Sequence, residues 1–242
     1  MKTHFYFIGY FVLICILLWF QYRDLNLGLD LNKENFSDNY DFFFIHGYKT
    51  MGTTIYAQLP NDYNKKYYGK RTIDEYEKIN NIKLNKNVVQ SKFKNTNKLI
   101  AFDHIPLDQL YDLGILNDED IKNKQCMCII REPIERFISI CNFQKSSPSE
   151  LIEEVKEKGK TGGDQYKQSK FYKQKYGWNI KLIKMENKDE IIRWFKQFGI
   201  NINFDIHEKK SIHKYTVNDL TDEQISYLKE LYKEDYDVYN LL

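Results

Sequence analysis

Glycine and alanine are scarce in this chain of 242 residues, which has only 11 glycines. Lysine, asparagine, isoleucine and tyrosine take their place, a bias that reflects an AT-rich genome and says nothing about function. A dominant charge is also lacking: 36 basic residues against 34 acidic ones leave a formal net charge of +2. No global field therefore draws the protein to nucleic acid, and any basic site must be local. Cysteine is limited to Cys15, Cys126, Cys128 and Cys141. That is no disulfide framework, and the Cys-x-Cys spacing of 126 and 128 is not that of a structural zinc site. On a strand both would point to one face, as buried free thiols. No internal repeat or linker interrupts residues 41–242, and the length leaves room for one ordinary domain.

What is present begins with an apolar run. Residues 5–20, FYFIGYFVLICILLWF, carry no charge and lie between Lys2 and Arg23. With Gln21 and Tyr22 as a flank, a helix rising about 1.5 Å per residue just spans a thin bilayer. A cleaved signal peptide would want small residues near its end, where this segment has Leu18, Trp19 and Phe20. Trp19 and Tyr22 suit interfacial anchors instead. The expected layout is a cytoplasmic tail over 1–4, a transmembrane signal anchor over 5–22, a polar stem over 23–40 and a folded domain over 41–242. Asn35-Phe36-Ser37 is a glycosylation acceptor in the stem.

The domain reads as short apolar strands alternating with helices. Asp41 to Ile45 is a first strand, Lys98 to Phe102 a second, Gln125 to Ile130 a third and Ile180 to Met185 a fourth. Helices are expected over 55–59, from Pro133 through Ile140, over 149–160, 164–176 and 189–198, and from the capping box Thr221-Asp222-Glu223-Gln224 to about Tyr232. Residues 61–97 follow no clear period. The pattern predicts an α/β fold around a parallel sheet flanked by helices.

Two stretches carry chemistry. Between the first strand and first helix runs His46-Gly47-Tyr48-Lys49-Thr50-Met51-Gly52-Thr53-Thr54. A glycine-bearing turn of this kind presents backbone N–H groups and a helix N-terminus to an anion. Gly47 and Gly52 have the spacing of the nucleotide-triphosphate loop, but Thr53 stands where its lysine belongs. Lys49 comes four residues earlier, which suits a 5′-phosphosulfate better than a triphosphate with magnesium. After the third strand, Arg131-Glu132-Pro133-Ile134-Glu135-Arg136-Phe137-Ile138-Ser139 puts an arginine at the strand end and a serine two turns into the next helix. Both can donate to a phosphate, while Arg136 reads as a structural ion-pair residue.

Together these stretches resemble the PAPS-dependent sulfotransferases, where PAPS is 3′-phosphoadenosine 5′-phosphosulfate. The nearest pattern is the membrane-bound carbohydrate group that includes the heparan sulfate 2-O- and 6-O-sulfotransferases and the chondroitin sulfotransferases. FIHGYKTMGTT matches that family's phosphosulfate loop, and REPIERFIS its 3′-phosphate motif. Gln168-Ser169-Lys170-Phe171, Lys210-Ser211 and the closing stretch from Tyr232 to Tyr239 resemble later family segments. The likeness covers about residues 41–242. It implies a single P-loop-like sulfotransferase domain behind an N-terminal transmembrane helix, a type II membrane protein facing the Golgi lumen.

The resemblance also implies roles. Lys49, Thr50, Met51, Gly52, Thr53 and Thr54 would hold the 5′-phosphosulfate, and Arg131 and Ser139 the 3′-phosphate. His104, between the two motifs in AFDHIPLDQL, would take the proton of a carbohydrate hydroxyl, and Lys49 would neutralise charge at sulfur. His46 is the alternative base; His207 and His213 lack such a context. No metal and no nucleic acid is expected. Two alternatives stay open: a nucleotide kinase with a degenerate phosphate loop, and a non-catalytic glycan-binding membrane protein on the same fold.

Overall fold

The computed structural model describes residues 40–93, 97–158, 167–173, 175–206 and 214–242. The expected anchor over 5–22 lies outside them, as does the stem except Tyr40. Among the described residues no helix is long and apolar enough to cross a membrane.

Three parallel strands form the central sheet: β1 (Phe42–Ile45), β4 (Gln125–Ile130) and β5 (Ile180–Lys184), in the order β1-β4-β5. Phe42 pairs with Gln125 and Ile45 with Cys128, while Cys126 pairs with Ile180 and Ile130 with Lys184. Four apolar residues in a row make β1 a strand buried on both faces. That suits a parallel sheet covered on each side. Phe42 stacks on Tyr63 and meets Trp194, Phe195 and Phe198 edge-on or tilted. An aromatic so enclosed contributes roughly 2–3 kcal/mol of transfer energy. Cys126 and Cys128 are buried free thiols on β4, as alternation requires, and Cys141 is a third. Burial raises the thiols of Cys126 and Cys141 to about 12, so they stay protonated.

The expected second strand is different. Lys98 to Phe102 yields only β3 (Ile100–Ala101), which pairs antiparallel with β2 (Lys70–Arg71) outside the central sheet. Phe102 ends the pairing because its ring stacks on Tyr76 at 3.8 Å, and the chain tightens into a 3₁₀ turn over Phe102–His104. The unassigned stretch 61–97 is largely helical, with α2 (Asn61–Tyr67), α3 (Ile73–Asn80) and α4 (Lys86–Lys92). Thr72 and Glu75 close a capping box at the start of α3.

The remaining helices include the expected ones, the first starting at Gly52 rather than residue 55, and two before β4 that the pattern did not predict. They are α1 (Gly52–Tyr56), α5 (Leu107–Asp112), α6 (Asp118–Asn123), α7 (Pro133–Gln144), α8 (Pro148–Lys158), α9 (Ser169–Tyr172), α10 (Lys188–Lys196), α11 (Asp222–Leu231) and α12 (Lys233–Tyr239). Pro133 opens α7 where its missing N–H costs nothing. The helix expected over 164–176 is, among the described residues, the single turn α9. Apolar side chains of α7, α8 and α11 form a second core beside the one around the sheet, with Phe137, Ile140, Leu151 and Leu228 at its centre.

Candidate functional site

Parallel strands send their carboxyl ends to one edge, where ligands of open α/β sheets collect. At that edge β1 delivers the loop from His46, and its neighbour β4 delivers Arg131 and α7. The two expected motifs therefore leave adjacent strands on the same side. At the opposite edge a cleft of about 390 Å³ is lined by Gln125, Asn179, Lys181 and Trp194; it holds none of the expected site residues.

The loop is shaped by backbone that side chains rarely adopt. Lys49 has φ 63° and Met51 φ 64°. Left-handed residues on either side of Thr50 give the alternating winding from which anion-binding backbone nests are built. Each costs about 1 kcal/mol without glycine's freedom. Thr50 is fully buried and its hydroxyl donates to the Gly47 carbonyl at 2.9 Å. It stitches the loop together. Thr54 is also buried, whereas Thr53 stays half-exposed. Helix α1 is only five residues long and Met51 gives it no side-chain cap. Loop N–H groups, rather than the dipole of a long helix, are thus what this segment offers an anion.

Gly52 is required for space. A Cβ there would lie 1.7 Å from His46 Nε2, so the His46 ring occupies what any larger residue would fill. His46 is 6% exposed, and its Nδ1 lies 3.2 Å from Asp103 Oδ2. Burial would raise the Asp103 carboxyl, but the hydrogen bond from His46 and the two nearby imidazoles hold it below the usual carboxylate range. An ionised carboxylate accepts, so His46 donates from Nδ1. The Nδ1 of His46 is thus committed to Asp103.

His104 completes the cluster. Its Nδ1 lies 3.2 Å from the His46 carbonyl oxygen and its Nε2 lies 3.5 Å from Asp103 Oδ2. Both partners accept, but only the Nδ1 contact has hydrogen-bond geometry, so Nδ1 carries the proton and Nε2 the lone pair. The ring stacks on Tyr48 at 4.0 Å and packs against His46 at 4.2 Å. Burial first, then His46, push His104 down to about 4, with Asp103 pulling the other way. At neutral pH it is an uncharged imidazole with a lone pair available. His46, Asp103 and His104 bring three possible donor atoms within 4.8 Å of one another, a set whose chemistry also suits a divalent ion.

On the second motif, Arg131 is gripped through its backbone. Gln168 accepts from Arg131 N–H at 2.8 Å and donates to the Arg131 carbonyl at 2.7 Å. Gln168 and Ser169 N–H in turn donate to the two oxygens of Asp235, each at 2.7 Å. Asp235 is 1% exposed on α12, so the C-terminal helix anchors the strand end that carries Arg131. Arg131 Nε stands 3.8 Å from Glu135 and the side chain is 20% exposed. Arg136, expected as an ion-pair residue, is fully buried with its guanidinium 5.3 Å from the Tyr232 ring centre. That placement leaves it structural.

Ser139 lies half-exposed on α7, one turn before Phe143 on the same face. Lys49 Nζ lies 4.3 Å from the Phe143 ring centre. The loop that carries Lys49 and the Ser139 face of α7 therefore approach each other. Among the expected residues, the structure sets the loop of Lys49, Thr50, Met51, Gly52, Thr53 and Thr54 beside His104 through Tyr48 and His46, while Arg131 stands just after β4 and Ser139 two turns into α7. His207, His213 and Lys210-Ser211 lie outside the described residues. Asp103, Gln168, Asp235 and Phe143 had no assigned role in the sequence. Asp103 was legible as the carboxylate next to the candidate base, but Asp235 was not, because its partners lie more than sixty residues away. No family model matches the chain, and no curated protein or solved structure matches it either.

Proposed function

We propose that this protein is a sulfotransferase that moves the sulfuryl group of PAPS to a carbohydrate hydroxyl. The observation that carries the reading is the approach of the Lys49 loop to the Ser139 face of α7, beside a buried His-Asp cluster with a free lone pair. The proposed donor lies along the carboxyl edge of β1 and β4. Backbone N–H groups of residues 50–54 and the Thr53 hydroxyl hold its 5′-phosphate. Arg131 and Ser139 hold the 3′-phosphate, selecting PAPS over a nucleotide without it.

In the transfer, the acceptor oxygen forms a bond to sulfur as the bond from sulfur to the bridging phosphate oxygen breaks. The acceptor's proton passes to His104 Nε2, and the bisphosphorylated nucleotide leaves with the bonding pair. Nε2 and Asp103 Oδ2, 3.5 Å apart, can both accept from an incoming hydroxyl, which orients it before attack. The low proton affinity of His104 in the free protein makes it available but weak as a base. Negative charge arriving with the donor and developing on the acceptor strengthens it when needed. Lys49 turns from Phe143 to the sulfuryl oxygens and offsets the charge that builds there.

Incubation of the full chain with PAPS carrying radiolabelled sulfate and a panel of glycans tests this. Label should pass to glycan in the presence of chelator. Calorimetry should show tighter binding of 3′-phosphoadenosine 5′-phosphate (PAP) than of AMP, a preference that Arg131→Ala removes. Equal binding of both nucleotides by the wild type sinks the assignment of Arg131 and Ser139. Transfer that stops with chelator moves the reading to a metal at His46, Asp103 and His104. Phosphate transfer from a magnesium nucleotide would make the protein a kinase. The membrane anchor over 5–22 belongs to the same proposal: the chain should resist alkaline carbonate extraction, and a mature N-terminus after residue 20 would show a cleaved signal instead.

A further inference from the structure

Near its end, helix α7 carries an aromatic residue that contributes little to the core. Phe143 is 58% exposed, while Phe137, Ile140 and Cys141 on the same helix are fully buried. It sits one turn beyond Ser139, and the ammonium of Lys49 rests over its ring. Such a contact is worth little at an exposed site, so stability does not explain the residue. Its position does carry information. Lys49 reaches both the ring and the sulfuryl group it is proposed to grip, so a hydroxyl attacking that group arrives beside Phe143.

We infer that Phe143 is the platform on which the acceptor sugar rests during transfer; this rests on the sulfotransferase reading and names the surface that reading leaves open. A pyranose has hydroxyls around its rim and an apolar C–H face. That face packs on a flat aromatic ring while one rim hydroxyl points at His104 Nε2. Phe143 offers an open ring, whereas a phenolic acceptor would need a slot walled on both faces. Tyr48, the residue before Lys49, is already stacked on His104 and so belongs to the base rather than to the acceptor. In the free protein Lys49 covers the Phe143 ring. When Lys49 turns to the donor the ring is uncovered, so donor binding prepares the acceptor site.

Saturation-transfer NMR on the full chain tests the platform. The probes are methyl β-D-galactopyranoside, methyl β-D-glucopyranoside and methyl N-acetyl-β-D-glucosaminide, each titrated with and without saturating PAP. At least one should bind through its C–H face, more tightly with PAP present. Phe143→Ala should weaken it roughly three- to tenfold, the scale of one aromatic contact, and Phe143→Trp should restore it. The proposal is overturned if no sugar binds the wild type, if Phe143→Ala binds as tightly, or if N-acetyltyrosinamide displaces the sugar. PAP affinity measured by calorimetry on the same samples stands apart. Loss of PAP binding in the wild type would fell the donor reading, while the titration without PAP still decides the platform.

Discussion

The loop after β1 and the strand end at Arg131 leave neighbouring parallel strands at the same edge of the sheet, yet different forces hold them. The loop side is ionisable and strained: two left-handed residues, a glycine filled by an imidazole, and a carboxylate between two histidines. On the Arg131 side, backbone groups are closed through the Gln168 amide and the buried Asp235 carboxyl, each hydrogen bond joining a donor to an acceptor. Groups that must change protonation or swing onto a ligand cannot be fully satisfied beforehand, whereas a group that only holds a phosphate gains from a rigid mount. On the proposed function, the first side does the chemistry and the second holds the donor.

The largest effect expected from that contrast is on turnover. His104→Ala should lower kcat by roughly 10²–10⁴ while PAP affinity, read by calorimetry, stays near wild type. Arg131→Ala should do the reverse, weakening PAP by about 1.5–3 kcal/mol. Near-normal kcat in His104→Ala would move the base elsewhere and break the division.

Acid should strike the loop side next. His104 titrates near 4 in the folded chain, below its ordinary 6.5. The unfolded chain therefore takes up the proton first as pH falls. Stability from this group is fully present above about 6.5 and is lost between about 6.5 and 4. The full loss is on the order of 3 kcal/mol. Chemical denaturation across that range should show the decline, and His104→Gln should flatten it. An unchanged decline in the variant would show that another group controls it.

A smaller loss is expected on the Arg131 side. Asp235→Asn exchanges one accepting oxygen for an amide that meets the N–H of Gln168 or Ser169. It should cost about 2–3 kcal/mol of stability, the scale of a charge-assisted bond lost in the interior. Its effect on function should fall on the PAP-over-AMP preference and spare kcat in saturating PAPS. A fall in kcat alone would blur the two sides. Gly52→Ala should cost about 1–3 kcal/mol by overpacking. Because the displaced group is His46, turnover should fall too, and the smaller variant His46→Ala should relieve the strain when combined with it. Gly52→Ala with wild-type stability would show that the His46 ring moves aside at no cost.

Much of the scaffold was readable in the order of residues. Phe42 to Ile45 and Gln125 to Ile130 are uniformly apolar and short, which leaves few options besides buried parallel strands. Thr221 to Gln224 and Pro133 write their own helix starts, since capping and the first turn involve only residues within one turn of each other. Lys98 to Phe102 misled because an apolar run fits a sheet strand and a two-residue ribbon equally well. Whether it joins the central sheet depended on where Tyr76 placed itself for Phe102.

For the site, sequence alone determined the chemical inventory: a loop with Lys49 early, Arg131 at a strand end with Ser139 two turns later, and His104 between them. Only tertiary structure decided how these residues are prepared. It set His46 against Gly52 and bound it to Asp103, left His104 Nε2 with its lone pair, tied Arg131 through Gln168 to Asp235, and laid Lys49 over Phe143. The physical reason is distance along the chain. Backbone propensity and capping act over a few residues. Hydrogen bonds and ring contacts between residues 46 and 103, or 168 and 235, exist only after the sheet and its covering helices have closed.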